Sequence, residues 1–327
     1  MKIKELHIKK LYDKYNFDWA LDERVNILAG INGSFKSTLL CIIRQMCELE
    51  AGEYNLSHVN TIFSEGFQLD YVRTSLDSQF DTIEKKKEFF EGLKKSHPDF
   101  NLPSNNEDFE KLSIFISHFN PQKDGVKIKE EDFKKQVRLD FISTFDIKRQ
   151  TKLDESQLDH ILADLQVEYG YYLSDLAKRV SDFVANHESL TKTDLDFINQ
   201  DRDLFVSIVN EAFKDTHKEI DPNESKIVFT LHNDHTKISA KKLSSGEKQF
   251  LIILLTVLLQ KRAECIVVMD EPEISLHVHW QYSLIDNLLR LNPNAQYIFS
   301  THSPSIFGKG WGGKVFYVNE LMSTENG

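Results

Sequence analysis

The sequence predicts an α/β protein in which both ends of the chain build a buried parallel sheet and the middle forms a mostly helical insertion. Three observations carry this. Short, continuously apolar stretches followed by glycine or aspartate, Val25–Ala29 and Cys265–Met269, suit parallel strands covered on both faces. From Val126 to Lys242 there is one glycine, Gly170, and one proline, Pro222. That same stretch sets Leu158, Ile161, Leu162 and Leu165 at helical spacing.

In chain order, Met1–Lys10 alternates lysine with Ile3, Leu6 and Ile8, which reads as a strand and not as a signal peptide. Val25–Ala29 is the next strand, and a glycine-bearing turn leads from it into an amphipathic helix. His97–Asn106, rich in proline and asparagine, reads as a loop. After the helical middle come the apolar run Phe250–Leu259 and the strand Cys265–Met269, then two more strands at Ala295–Phe299 and Lys314–Val318. Residues 1–60 and 240–327 are therefore expected to form one core, and 61–239 an inserted, mainly helical lobe. No repeat and no sustained heptad pattern is present, so a long coiled-coil arm is not expected.

Composition narrows the function classes. With 40 % hydrophobic residues and 23 phenylalanines, disorder is excluded as the main description. The run Phe250–Leu259 is about half of what spans a bilayer, so no transmembrane helix is expected. A net charge of −11 argues against a broad nucleic-acid-coating surface, though not against a local basic groove. Cys41, Cys47 and Cys265 form no ligand pattern, as a cytoplasmic location would have it.

Four segments carry chemistry. In Gly30-Ile-Asn32-Gly33-Ser34-Phe35-Lys36-Ser37-Thr38 a strand runs through a turn into a helix. Backbone N–H groups of such a turn curl round phosphate oxygens, and the helix N-terminus adds positive potential. Lys36 supplies a mobile cation for the β/γ-phosphates and Ser37 a hydroxyl for Mg²⁺. Against the pattern G-x-x-x-x-G-K-[ST] one position fails: Phe35 stands where the second glycine belongs. The cost of a bulky residue there is on the order of 1–2 kcal/mol if the backbone is left-handed. The reading preferred is that the backbone N–H survives and the ring points away, so that ATP still binds.

The second segment, Leu243-Ser244-Ser245-Gly246-Glu247-Lys248-Gln249, has the S-x-x-E spacing of a capping box, which exposes a helix N-terminus fit for an anion. In the third, a strand delivers Asp270 and Glu271 to its C-terminal end, where α/β sheets bind ligands. Asp270 is a candidate for holding Mg²⁺ through water, and Glu271 for orienting and deprotonating an attacking water. The fourth, Ser300-Thr-His302-Ser-Pro304, follows another strand and offers a histidine to a γ-phosphate. Each segment alone has an ordinary structural explanation. Their order decides the matter: Lys36, then Ser244, then Asp270 26 residues on, then His302 after a further 32.

On these motifs the chain resembles an ATP-binding-cassette (ABC) ATPase, with Walker A at Gly30–Thr38, signature at Leu243–Gln249, Walker B at Ile266–Glu271 and switch histidine at His302. The signature Ser-Ser-Gly-Glu-Lys is closer to the SMC, RecF and DNA-break-repair branch than to transporters. Glu271-Pro-Glu273-Ile-Ser-Leu276-His277, Trp280-Gln281 and Ser300–Pro304 are similar to stand-alone ATPases related to the OLD family, many of which belong to bacterial anti-phage systems. The resemblance implies a P-loop ATPase head with a RecA-like sheet core. It also implies a head-to-tail homodimer around two Mg-ATP, in which Lys36, Ser37, Asp270, Glu271 and His302 of one copy face Ser244, Ser245, Gly246 and Glu247 of the other. The partner expected beside a second copy is a separately encoded effector such as a nuclease or toxin, or nucleic acid, and not a membrane. A glutamine sensing the γ-phosphate is also implied, with Gln68, Gln136 and Gln150 as candidates.

Three weaker signals are read as structural. His277 and His279 beside Glu273 suggest a metal, but their alternation gathers ligands poorly, and contact across the dimer suits His277 better. Asp194-x-Asp196 and Asp201-x-Asp203 share the spacing of nuclease acids, yet only 25 residues follow His302, so a C-terminal nuclease domain is not expected and helix caps are. Lys123, Lys127, Lys129, Lys134, Lys135 and Arg138 are interleaved with Asp124, Glu130, Glu131 and Asp132, which favours a solvated face over a nucleic-acid groove. Two other functions compete: a non-hydrolysing scaffold disabled by Phe35, and the nucleotide-binding subunit of a transporter. The signature's Glu-Lys and the long insertion both speak against the second.

Overall fold

A computed structural model describes residues 1–52, 54–76, 82–96, 115–143, 156–186, 189–222, 224–233 and 235–324. The first part runs β1 (Ile3–Leu11), β2 (Tyr15–Ala20), β3 (Val25–Ala29), α1 (Lys36–Glu48), β4 (His58–Phe63) and β5 (Phe67–Ser75). The middle contributes α2 (Ile83–Ser96), β6 (Phe115–Lys123), β7 (Val126–Lys127), α3 (Glu130–Lys134) and β8 (Leu139–Ser143). Next come the long helices α4 (Gln157–Asn186) and α5 (Lys192–Ala212), followed by the short strands β9 (Lys218–Ile220), β10 (Val228–Leu231) and β11 (Lys237–Ser239). The last part holds α6 (Ser245–Leu259), β12 (Ile266–Asp270), α7 (Val278–Leu291), β13 (Gln296–Thr301), α8 (Pro304–Phe307), β14 (Val315–Tyr317), α9 (Val318–Leu321) and β15 (Met322–Thr324).

The described residues form three sheets. A parallel sheet has the order β14-β3-β13-β12-β8, an antiparallel one β15-β2-β1-β4-β5-β6-β7, and a small one β11-β10-β9. Period-two alternation sorts the parallel strands between two cores. Val25, Ile27, Val267, Met269, Tyr297 and Phe299 face the helical side with α4, α5, α6 and α7. Leu28, Ile266, Val268 and Ile298 face α1 and the antiparallel sheet. Helix α1 thus lies between the two large sheets, with Leu39, Leu40, Ile42, Ile43 and Met46 buried. Burial of each such side chain contributes roughly 1.5–3 kcal/mol. Gln296, buried in β13, joins the sheets: its amide accepts from Ile3 N at 2.8 Å and donates to Ile3 O at 2.7 Å. The run Phe250–Leu258 lies in the helical-side core. No helix among the described residues is long and apolar enough to cross a membrane.

The expectation of a mainly helical segment over 61–239 is corrected in its first part. Strands β4, β5, β6 and β7 belong to the antiparallel sheet that packs on α1, and β8 is an edge of the parallel sheet itself. In β5, buried Phe67, Leu69 and Tyr71 alternate with Gln68, Asp70 and Val72, a strand pattern that scarcity of glycine and proline does not reveal. Helices dominate only from α4 to α5. The loop expected at His97–Asn106 and the candidate Gln150 lie outside the described residues.

Candidate functional site

The parallel ladder brings the chemistry-bearing segments together. Ala29 pairs with Thr301, Ser300 with Asp270, and Asp270 with Ser143. The C-terminal ends of β3, β13 and β12 therefore lie side by side, and the residues that follow them share one edge of the sheet.

After β3 the chain turns through Gly33, at φ 77°, and Phe35, at φ 69°. Both are left-handed, a conformation that favours glycine, so Phe35 carries a real backbone cost of about 1–2 kcal/mol. Its ring leaves the loop and packs on Tyr15, Tyr12 and Phe17, with centroids 5.0, 5.9 and 5.9 Å away. Aromatic pairs of this kind contribute about 0.5–1.5 kcal/mol each beyond burial, enough to offset the strain. Phe35→Gly is therefore expected to relieve the backbone yet lose about 1–2 kcal/mol of stability. Urea unfolding measures this, and a more stable variant would show that the strain dominates.

The Phe35 carbonyl accepts from Leu39 N at 2.9 Å and starts α1. Lys36 is only 4 % exposed, and its Nζ donates to Gly30 O and Ile31 O, both at 3.1 Å. Burial lowers its pKa below the ordinary lysine value, against the pull of Glu271, Asp270 and Glu273 nearby. Asn32 and Gly33 are exposed, whereas Ser34 and Thr38 are half-buried. The Ser34 Oγ itself is buried and has no hydrogen-bond partner among the described residues. Ser37 Oγ donates to Asp270 Oδ1 at 2.9 Å. A hydroxyl and a carboxylate placed this way form the hard-oxygen donor pair that suits Mg²⁺.

Asp270, 4 % exposed, is also bonded by Ser300 Oγ. Glu271 follows at φ 48°, with its N–H held by Ser300 O at 3.1 Å and Ser300 Oγ at 3.0 Å. Its Oε1 lies 3.1 Å from His302 Nε2. Lys36, Ser37, Asp270, Glu271 and His302 are thus gathered at one edge. Beside them a cavity of about 720 Å³ is lined by Gly30, Ser34, Phe35, His302, Phe307 and Tyr317, among others.

The segment after β11 forms the anticipated capping box. Ser244 Oγ accepts from Glu247 N at 3.3 Å, and Glu247 Oε2 accepts from Ser244 N at 2.9 Å. Ser244 and Ser245 are exposed and Gly246 is buried. A Cβ on Gly246 would lie 2.2 Å from Ser275 O, so only glycine fits there. No hydrogen bond joins residues 244–246 to Lys36 or His302 among the described residues. The Glu247 side chain points inward, 2 % exposed, and takes Lys218 Nζ at 2.6 Å and Thr216 Oγ1 at 2.9 Å. The expectation that this carboxylate meets a nucleotide is corrected: it is a buried cap. Burial works to raise its pKa, but Lys218, the Ser244 N–H and Thr216 outweigh that and leave it below the ordinary glutamate value.

Of the remaining candidates, Gln68 lies in β5 and reaches Asp70 at 3.4 Å, while Gln136 precedes β8 and is exposed. Asp194 closes a capping box with Thr191 at the start of α5, and Asp201 pairs with Arg262 at 2.7 Å. The His277 and His279 rings stack with centroids 5.2 Å apart. Sequence reasoning named Ser300 and Glu273 within motifs but gave neither a role: Ser300 holds both Asp270 and Glu271, and Glu273 holds the end of β13 and the turn after it. Glu273's spacing, two residues after Glu271, is the signal that could have raised it.

The model of the family described as "AAA domain, putative AbiEii toxin, Type IV TA system" matches residues 25–308. A curated relative, "Retron Vc95 probable ATPase" of Vibrio cholerae serotype O1 biovar El Tor, is 22 % identical over 389 residues, which span 97 % of this chain and 73 % of that protein. Among solved structures, the SMC head bound to the C-winged helix domain of ScpA aligns with TM-score 0.52 at 10 % identity, covering 94 % of this chain and 92 % of that one. The SMC head domain from Thermotoga maritima aligns at TM-score 0.46 and 13 % identity, with 94 % and 92 % covered. The α/β fold is like that of an SMC head.

Proposed function

Because this chain belongs to the family described as "AAA domain, putative AbiEii toxin, Type IV TA system", we propose that it is an ATP-hydrolysing switch of ABC type which closes head to tail on a second copy around Mg-ATP. One observation carries the reading: Lys36, the Ser37–Asp270 pair and the Glu271–His302 pair converge at adjacent ends of β3, β12 and β13. Lys36 and the loop N–H groups bind the phosphate chain, while Ser37 and Asp270 would hold Mg²⁺. That ion supplies charge neutralisation for the leaving phosphate. Glu271 orients and deprotonates the attacking water, and His302 donates to the γ-phosphate.

The second copy is needed because Ser244 and Ser245 present a helix N-terminus to solvent, with no hydrogen bond to Lys36 or His302 among the described residues. Exposed Ile31, Ile274, Val278 and Tyr282 lie on the loop and around the start of α7, where apolar area is available for that contact. The relative's printed name places it in a retron. For this chain we read a regulatory role toward a separately encoded effector, a nuclease or toxin, in anti-phage defence.

The test is the oligomeric state. With ATP and Mg²⁺, light scattering is expected to report a dimer for the wild type. Lys36→Ala and Ser245→Arg are expected to remain monomers, the first for want of nucleotide and the second through a charged side chain at the contact. A Ser245→Arg variant that dimerises like wild type would overturn the head-to-tail arrangement.

A further inference from the structure

Glu273 sits two residues beyond Glu271, and its carboxylate reaches across to the end of β13. Its Oε1 accepts three hydrogen bonds there: from Thr301 Oγ1 at 2.6 Å, His302 N at 2.8 Å and Ser303 N at 3.2 Å. The turn carrying His302 is fixed a second time from α7. Ser303 Oγ donates to Gln281 Oε1 at 2.7 Å, and Gln281 Nε2 donates to Leu276 O at 3.0 Å. Glu273 Oε2 is buried with no hydrogen-bond partner among the described residues, so one oxygen makes the whole grip.

We propose that Glu273 is a positioning residue: by holding the backbone N–H groups of His302 and Ser303, it sets where the His302 ring stands relative to Glu271. This rests on the reading of His302 as the group that meets the γ-phosphate. Two backbone donors and a hydroxyl converge on one acceptor oxygen, and three bonds to that single acceptor restrain the turn that carries His302. Without that acceptor the Thr301 hydroxyl and the His302 N–H lose this partner and Ser303 N keeps only Thr301 Oγ1, at 2.9 Å, so the turn relaxes and the ring shifts from the geometry that bond cleavage needs. Among the described residues no hydrogen bond joins Glu273 to Lys36 or the phosphate loop, so affinity for ATP is not expected to follow.

The experiment compares Glu273→Ala, Glu273→Gln and His302→Ala by steady-state phosphate release and by amide hydrogen exchange. Glu273→Ala is expected to lower kcat by about 10–100-fold with KM for ATP unchanged, the scale of a misplaced group. Exchange at His302 should quicken in the same variant, and more than at Ser303, whose N–H also reaches Thr301 Oγ1. Glu273→Gln keeps an acceptor oxygen and is expected to restore slow exchange and most of kcat. If Glu273→Ala does not fold, Glu273→Asp, one methylene shorter, takes its place. Wild-type kcat or unchanged exchange in Glu273→Ala, beside an impaired His302→Ala, would overturn the positioning role and leave the site reading intact. Glu273→Gln as impaired as Glu273→Ala would overturn it too, by showing that charge and not reach matters. An unimpaired His302→Ala would remove the site reading and this inference together.

Discussion

Glu271→Gln is expected to lower ATP turnover by about 10²–10⁴-fold, the contribution of a well-placed general base, while ATP binding persists. The substitution changes one atom type and little shape. The backbone that presents the side chain is held independently of the carboxylate, by Ser300 O and Ser300 Oγ on the Glu271 N–H. Its left-handed φ of 48° is a strained conformation, which persists because the surrounding strand ends impose it. A glutamine there keeps a hydrogen bond for His302, at 3.1 Å in the native chain, but no longer accepts a proton from water. Phosphate release and a titration with a fluorescent ATP analogue measure the two halves of the expectation. Should wild type and variant prove equally inert while both bind ATP, the chain is a nucleotide-dependent scaffold and not an ATPase in action.

The second large effect concerns stability. Lys218→Met is expected to cost about 3–5 kcal/mol, because it leaves the Glu247 carboxylate buried without its counter-charge. Lys218 is itself 18 % exposed at the side chain, and the pair lies at 2.6 Å. The sign of the pH dependence follows from the depressed Glu247 pKa. In the native chain its contribution is present above the ordinary value of 4.5 and is lost as pH falls through the lower folded value. In Lys218→Met the burial remains without the cation, so the carboxyl's pKa rises relative to the native chain. The deficit against wild type should therefore be largest near neutral pH and shrink under acid conditions. Urea unfolding at the two pH values measures it, and Glu247→Gln on the Lys218→Met background should recover most of the loss. A deficit that does not change with pH would rule out the unpaired carboxylate as its cause.

The pair also shows where the helical middle of the chain meets helix α6. Glu247 reaches Lys218 at the start of β9, and Lys248 pairs with Asp159 of α4 at 2.8 Å. Two neighbouring residues of the capped segment are thus tied to two elements of the middle region.

Much of this protein was legible from local pattern. Val25–Ala29 and Cys265–Met269 announced parallel strands because a strand covered on both faces must be apolar at every position. Ser244 and Glu247 announced a helix start because a capping box is complete within four residues. The order of Lys36, Ser244, Asp270 and His302 needed no coordinates, and neither did the departure at Phe35.

What the sequence could not show is who sits opposite whom across long separations. Strands β5, β6 and β8 fall within the span expected to be mainly helical, because their burial depends on neighbours that only the assembled sheets supply. The same dependence hides Phe35's partners on β2 and the turn before it, Glu247's inward grip on Lys218, and Glu273's hold on the turn after β13. A run of residues dictates its own periodicity, caps and turns through backbone and nearest-neighbour sterics. Where a side chain ends up depends on strand register and on which faces pack together, and those are properties of the folded whole.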